Sequence, residues 1–80
     1  MTAETRYILF TRANCHLCDL AAAMLDRAGL RWQPIDIDGD PDLSRRYGIH
    51  VPVVRQAASE RELFFPFNEK QLQVWANEQK

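Results

Sequence analysis

The run Tyr7-Ile8-Leu9-Phe10-Thr11-Arg12-Ala13-Asn14-Cys15-His16-Leu17-Cys18 decides how this chain is read. It opens on four consecutive apolar and aromatic residues, so residues 6–11 read as a buried strand. Asn14 is a residue type that caps helices. From residue 15 to 28, Leu17, Leu20, Ala21, Met24, Leu25 and Ala28 recur at helical spacing. Gly29 follows, where a helix commonly ends. The stretch predicts a strand that passes directly into a helix, with Cys15 in the first helical turn.

Two thiols at such a junction have a chemical consequence. Thiolate is the reactive form of cysteine. The unpaired N–H groups and the macrodipole at a helix N-terminus favour negative charge there. Cys15 is therefore expected to be acidic, within the range of about 3.5–7.5 found for such cysteines. Cys18 lies one turn later on the same face, within disulfide reach, and fits the part of a resolving thiol. Arg12 and His16 add positive charge that stabilises a thiolate, and Asp19 acts against them. Stabilising the reduced form makes such a pair more oxidising.

The rest of the composition narrows the field. At 80 residues the chain is read as one domain over 1–80. Ten basic residues face eleven acidic ones, a formal net charge of −1, which argues against nucleic acid or an anionic membrane as partner. No segment reaches the length of a membrane span. Glu4 and Arg6 precede only a short apolar run, unlike a signal peptide, so the cytoplasm is expected. There are only two cysteines, and a bridge closing so short a loop constrains the unfolded chain little. Redox chemistry and metal binding remain. Zinc usually asks for four ligands, and one pair with only two histidines makes a sparse site, so no metal is expected.

Farther along, residues 32–37 read as a second strand in which Ile35 and Ile37 alternate with Asp36 and Asp38. Asp40-Pro41 is a helix start, and that helix runs to Tyr47 and stops at Gly48. Residues 52–55 read as a third strand and 61–65 as a fourth, joined as a hairpin. Asn68 and Gln71 have capping-box spacing and open a helix with Leu72, Trp75 and Ala76 on one face. The first two crossovers are long enough to join parallel strands. A mixed four-stranded sheet covered by helices follows.

Three stretches, in order, resemble the glutaredoxin-like proteins of the thioredoxin superfamily. They are Phe10 through Cys18, Ile35-Asp36-Ile37-Asp38 through Asp40-Pro41 to Tyr47-Gly48, and Val51-Pro52-Val53-Val54. The resemblance implies an α/β, thioredoxin-like fold of the glutaredoxin type, strand-helix-strand-helix-strand-strand-helix. It also implies that Arg12 helps the thiolate and that the Val51–Pro52 bond is cis. Val51 and Pro52 then become substrate-binding candidates, with the Val51 backbone pairing an extended thiol substrate. The chain departs from that family at His16-Leu17, where proline and an aromatic usually stand. It departs again at Pro66-Phe67-Asn68-Glu69, in place of the Gly-Gly turn and acidic residues that help hold glutathione. Proline has neither the N–H nor the φ freedom of glycine. Glutathione as cosubstrate is therefore poorly supported, and no other cofactor is implied.

The leading expectation is a monomeric dithiol oxidoreductase acting on protein or low-molecular-weight thiols and disulfides, with Cys15 as nucleophile and Cys18 as resolving thiol. Two alternatives stand beside it, a non-catalytic protein-binding module and a Cys-ligated metal or iron–sulfur site. His50 is read as a loop residue ahead of an acid–base group. Asp36, Asp38, Asp40 and Asp42 lack the glycine and final glutamate of a calcium loop and read as capping and solvated carboxylates. Trp32, Trp75, Phe64, Phe65 and Phe67 read as core, with Phe67 placed to line a groove. Arg45 and Arg46 read as a solvated face.

Overall fold

The computed structural model describes residues 6–78, so Glu4 lies outside the described residues. The strand Tyr7–Thr11, β1, is apolar nearly throughout because both of its faces are covered. Tyr7 and Leu9 face one core and Phe10 the other, with Ile8 packed beside it. The chain continues as α1 (His16–Arg27), β2 (Trp32–Asp36), a short 3-10 turn (Ile37–Gly39), α2 (Pro41–Tyr47), β3 (Val53–Gln56), β4 (Glu62–Phe64) and α3 (Glu69–Asn77). The four strands form one sheet in the order β2-β1-β3-β4. This is the mixed sheet with helices that the sequence predicts.

Strand direction needs a correction. β2 runs parallel to β1, but β3 runs antiparallel to both β1 and β4. Only the first crossover joins parallel neighbours. The second carries the seven-residue α2 and ends in a turn where His50 and Val51 both donate their N–H to the Tyr47 carbonyl. That turn reverses the chain before β3 begins.

The two faces of the sheet hold separate cores. α1 and α3 cover one face, where Ala21, Met24, Leu25, Leu72 and Trp75 meet Tyr7, Leu9 and Val54. α2 and the 3-10 turn cover the other, where Ile37 and Tyr47 meet Phe10 and Val53. Phe10 and Tyr47 stack with ring centroids 4.4 Å apart. Pro34 pairs opposite Leu9 in β2, and its missing N–H is tolerable because β2 is an edge strand.

The helix ends follow local chemistry. α1 closes on a Schellman motif, with Leu30 N–H donating to the Leu25 carbonyl and Gly29 N–H to that of Asp26. Gly29 supplies the left-handed backbone, φ +72°, that the motif needs. Asp40 caps α2 by accepting from the N–H groups of Asp42 and Leu43, with Pro41 at the first helical position. Asn68 and Gln71 form the reciprocal capping box of α3.

Three sequence readings shift. The second strand stops at Asp36, whose side chain accepts the Asp38 N–H and starts the 3-10 turn; Ile37 is then buried in that turn and not in a strand. Asn14 does not cap α1; it sits one residue ahead with φ +60°, a conformation asparagine tolerates better than most residues. Phe64 is 43 % exposed, so it does not belong to the core.

Candidate active site

Cys15 itself is the N-cap of α1. Its backbone is extended, and its Sγ accepts the Cys18 N–H at 3.1 Å. The sulfur thus takes the place that a serine, threonine or aspartate oxygen usually fills. Cys15 therefore lies just ahead of the first turn, not inside it. One N–H at the helix end thus points at the Cys15 sulfur.

Cys15 and Cys18 are joined as a disulfide, with Cα atoms 5.2 Å apart. Their surroundings differ. Cys15 is half-buried, whereas Cys18, in the first turn of α1, is only 3 % exposed. An incoming molecule can reach the first sulfur and not the second. His16 and Leu17 between them point outward, Leu17 with 45 % of its surface in solvent.

The strand register brings two further segments to the same end of the sheet. Phe10 pairs with Val53 and Val53 with Phe64. Pro52 therefore follows on from the end of β1, and Phe65 lies across from Pro52, donating its N–H to the Pro52 carbonyl at 3.2 Å. The Val51–Pro52 and Phe65–Pro66 peptide bonds are both cis. Pro52 is buried and Val51 half-buried against the α2-side core. The Val51 N–H is already donated to Tyr47 at 3.1 Å, which leaves its carbonyl as the main-chain group it can offer.

Arg12 is held on the other side of this loop. Its Nη2 lies 2.7 Å from Asp38 Oδ1 and its Nε 3.4 Å from Oδ2, while Nη1 donates to the Gly48 carbonyl at 2.9 Å. The hydrogen bond from Arg12 holds the Asp38 carboxyl below the usual carboxylate range. The same bond, with the attraction of that carboxylate, raises Arg12 further. The guanidinium thus ties the end of β1 to the 3-10 turn and to the loop after α2. Gly48 fits this junction because a Cβ there would meet the Ser44 carbonyl oxygen at 2.5 Å.

The remaining candidates fall outside this cluster or at its margin. His50 is exposed and packs edge-on against Phe64, centroids 5.4 Å apart. Asp36 and Asp40 cap turns, and Asp42 pairs with Arg45. Arg46 lies over the Tyr47 ring. Among the described residues no group of three or more His, Cys, Asp and Glu side chains sits together to hold a metal ion. No helix among them is long and apolar enough to cross a membrane. Sequence reasoning missed the partners of Arg12. Asp38 and Gly48 lie 26 and 36 residues away, and only the fold brings them together.

Leu20, Ala23 and Met24 of α1 face Phe65 and Phe67 across a shallow groove of about 370 Å³. Phe67 thus both joins the core and lines a groove, as its position before α3 suggested.

Comparison with known proteins agrees with this geometry. A family model described as Glutaredoxin-like domain (DUF836) matches residues 6–76. The chain is similar to protein XcR50 from X. campestris, solved by X-ray diffraction, at 36 % identity and a TM-score of 0.87, covering 92 % of this chain and 99 % of that one. It is similar to protein Ne2328 from Nitrosomonas europaea at 25 % identity and a TM-score of 0.71, covering 94 % and 95 %. The glutaredoxin grx-1 from Archaeoglobus fulgidus shares the fold, with a TM-score of 0.64 at 20 % identity over 90 % and 86 % of the two chains. No curated protein matches.

Proposed function

Because the chain belongs to the glutaredoxin-like domain family, a divergent branch of the thioredoxin superfamily, we propose that it is a dithiol oxidoreductase with Cys15 as nucleophile. One observation carries the reading. The accessible sulfur of the Cys15–Cys18 pair caps a helix and accepts a backbone N–H, while its partner is buried behind it.

In the reduced protein, the Cys18 N–H and the positive end of α1 favour a thiolate at Cys15. That thiolate attacks one sulfur of a substrate disulfide. A Cys15–substrate disulfide forms, and the other substrate sulfur leaves as a thiolate. Cys18 then gives its proton to water and attacks Cys15 Sγ, which releases the first substrate sulfur. The substrate gains two electrons and the pair ends as a disulfide. An external dithiol running the same steps in reverse restores the reduced pair.

His16 adds charge beside the thiolate, and Val51 and Pro52 form the floor against which the substrate lies. The natural partner is a protein or small-molecule disulfide in a reducing compartment such as the cytoplasm. The test is a pair of variants mixed with a disulfide substrate and read by mass spectrometry after alkylation. Cys15→Ser should show no exchange, and Cys18→Ser should accumulate the mixed disulfide at Cys15. Undiminished exchange in Cys15→Ser would overturn the assignment.

A further inference from the structure

A reactive thiolate is not enough for exchange, because the substrate sulfur must also be held in the right place. Resting on the redox reading above, we propose that Asp38 is a positioning residue. Through Arg12 it orients the loop of residues 48–51 toward the redox turn, and so governs the capture of polypeptide disulfides.

The placement starts from strand register. Thr11 pairs with Asp36 at the last step of the parallel β1–β2 ladder, so Arg12 and the turn Ile37–Gly39 leave the sheet at the same end. Asp36 accepts the Asp38 N–H at 2.9 Å, and the Asp40 N–H returns to the Ile37 carbonyl at 3.2 Å. These two bonds fix the turn that presents the Asp38 carboxylate. Both carboxylate oxygens accept from Arg12, at 2.7 and 3.4 Å. A planar guanidinium held at two nitrogens has little freedom left, and its third nitrogen donates to the Gly48 carbonyl at 2.9 Å.

This one side chain spans the candidate site. Arg12 opens the connection from β1 to Cys15, and Gly48 opens the segment that leads to Pro52. The far end of that segment has its own anchor, since Pro52 is buried and its carbonyl accepts the Phe65 N–H. The Tyr47 carbonyl takes the N–H groups of His50 and Val51. Between them Ile49 leaves 92 % of its surface in solvent, so its side chain does not hold the loop. The grip on Gly48 therefore sets how residues 48–51, and with them the Val51 carbonyl, face the redox turn. The positive charge of Arg12 is meanwhile offset by the Asp38 carboxylate against it.

The test compares the unaltered chain with Arg12→Gln, Asp38→Ala and the double variant, all pre-reduced, following Cys15–Cys18 formation by acid quench and alkylation. Each is oxidised by a bridged peptide with residues on both sides of each cysteine, and separately by bis(2-hydroxyethyl) disulfide, which reaches little beyond the sulfurs. The ratio of the two rate constants cancels changes in the reactivity of Cys15 itself. Removing Arg12 takes away a positive charge and removing Asp38 a negative one, so an effect carried by charge has opposite signs in the two variants. Loss of the clasp has the same sign in both. The peptide-to-small-disulfide ratio should fall about fivefold in each single variant, the upper end for a partly exposed ion pair. The fall should lie in the half-saturating peptide concentration and not in the limiting rate. The double variant should fall by about the same factor, not by the product of the two. Opposite shifts in the single variants, an unchanged ratio, or losses that multiply in the double variant each overturn the inference. Asp38→Ala removes only a surface carboxylate, so its ratio decides the matter even where Arg12→Gln fails to fold. If neither disulfide oxidises the unaltered chain, the redox reading falls and this inference with it. If both do and the ratio does not move in Asp38→Ala, only this inference falls.

Discussion

At Cys15 one sulfur does two jobs, capping α1 and carrying the proposed chemistry. In the disulfide form the Cys18 N–H points at this sulfur at 3.1 Å. Elsewhere single residues set limits that can be measured. Tyr47 is buried, and this burial first and its hydrogen bond to Glu62 second push its ionisation above the ordinary value of 10.0. The fold favours the neutral phenol. That contribution is whole below the ordinary value and is lost as pH rises through it toward the raised one. Thermal unfolding between pH 8 and pH 11 should show this loss, and Tyr47→Phe should show less of it. Equal alkaline loss in both proteins would contradict the assignment. The cysteine pair, the capping box and the Asp40-Pro41 start were all legible in the sequence, because each is a contact among residues close in the chain. Which atom capped α1 was not. Asn14 and Cys15 are adjacent, and the choice between them rests on a backbone angle.

At the level of elements, the loop after α2 is held from two sides. Tyr47 receives the N–H groups of His50 and Val51, and Arg12 grips the Gly48 carbonyl while clasping Asp38. Removing the clasp should loosen this loop and leave the core intact. In Asp38→Asn the amide protons of His50 and Val51 should exchange faster at neutral pH, while those of β1 keep their protection. Because the Asp38 carboxyl titrates below its ordinary range, the clasp persists through mildly acidic solution and opens only as pH falls through the lowered value. Unchanged exchange at residues 50 and 51 in the variant would show that Arg12 does not hold the loop. This arrangement was illegible because Arg12, Asp38 and Gly48 share no local pattern. The reversed direction of β3 was hidden for a related reason: connection length allows a parallel crossover but does not require one. Gly29 was legible as a helix end, and Gly29→Ala should cost about 1–2 kcal/mol in chemical denaturation, since its φ is positive.

The whole molecule is small, and its two cores lie on opposite faces of one sheet. Domains of this length have a stability on the order of 0.05–0.15 kcal/mol per residue. Leu25 and Leu72 are fully enclosed between the sheet and the helices. Truncating either to alanine should remove about 2–5 kcal/mol, a large share of the total. A loss well under 1 kcal/mol in urea titration would mean that the α1–α3 face is not the principal core. The strand-helix order and the apolar periodicity were enough to read the layers but not the direction of β3, and of the apolar positions they mark on α1 the fold buries Ala21, Met24 and Leu25 and leaves Leu17 and Leu20 largely in solvent. On the proposed function, this architecture presents a reversible dithiol. Its most direct test is a redox titration of the pure protein in dithiothreitol buffers, with acid trapping, alkylation and mass readout. The predicted result is a Cys15–Cys18 disulfide that forms and breaks reversibly in one two-electron step, at a potential within roughly −270 to −120 mV. A pair that shows no reversible transition at any accessible potential would contradict it.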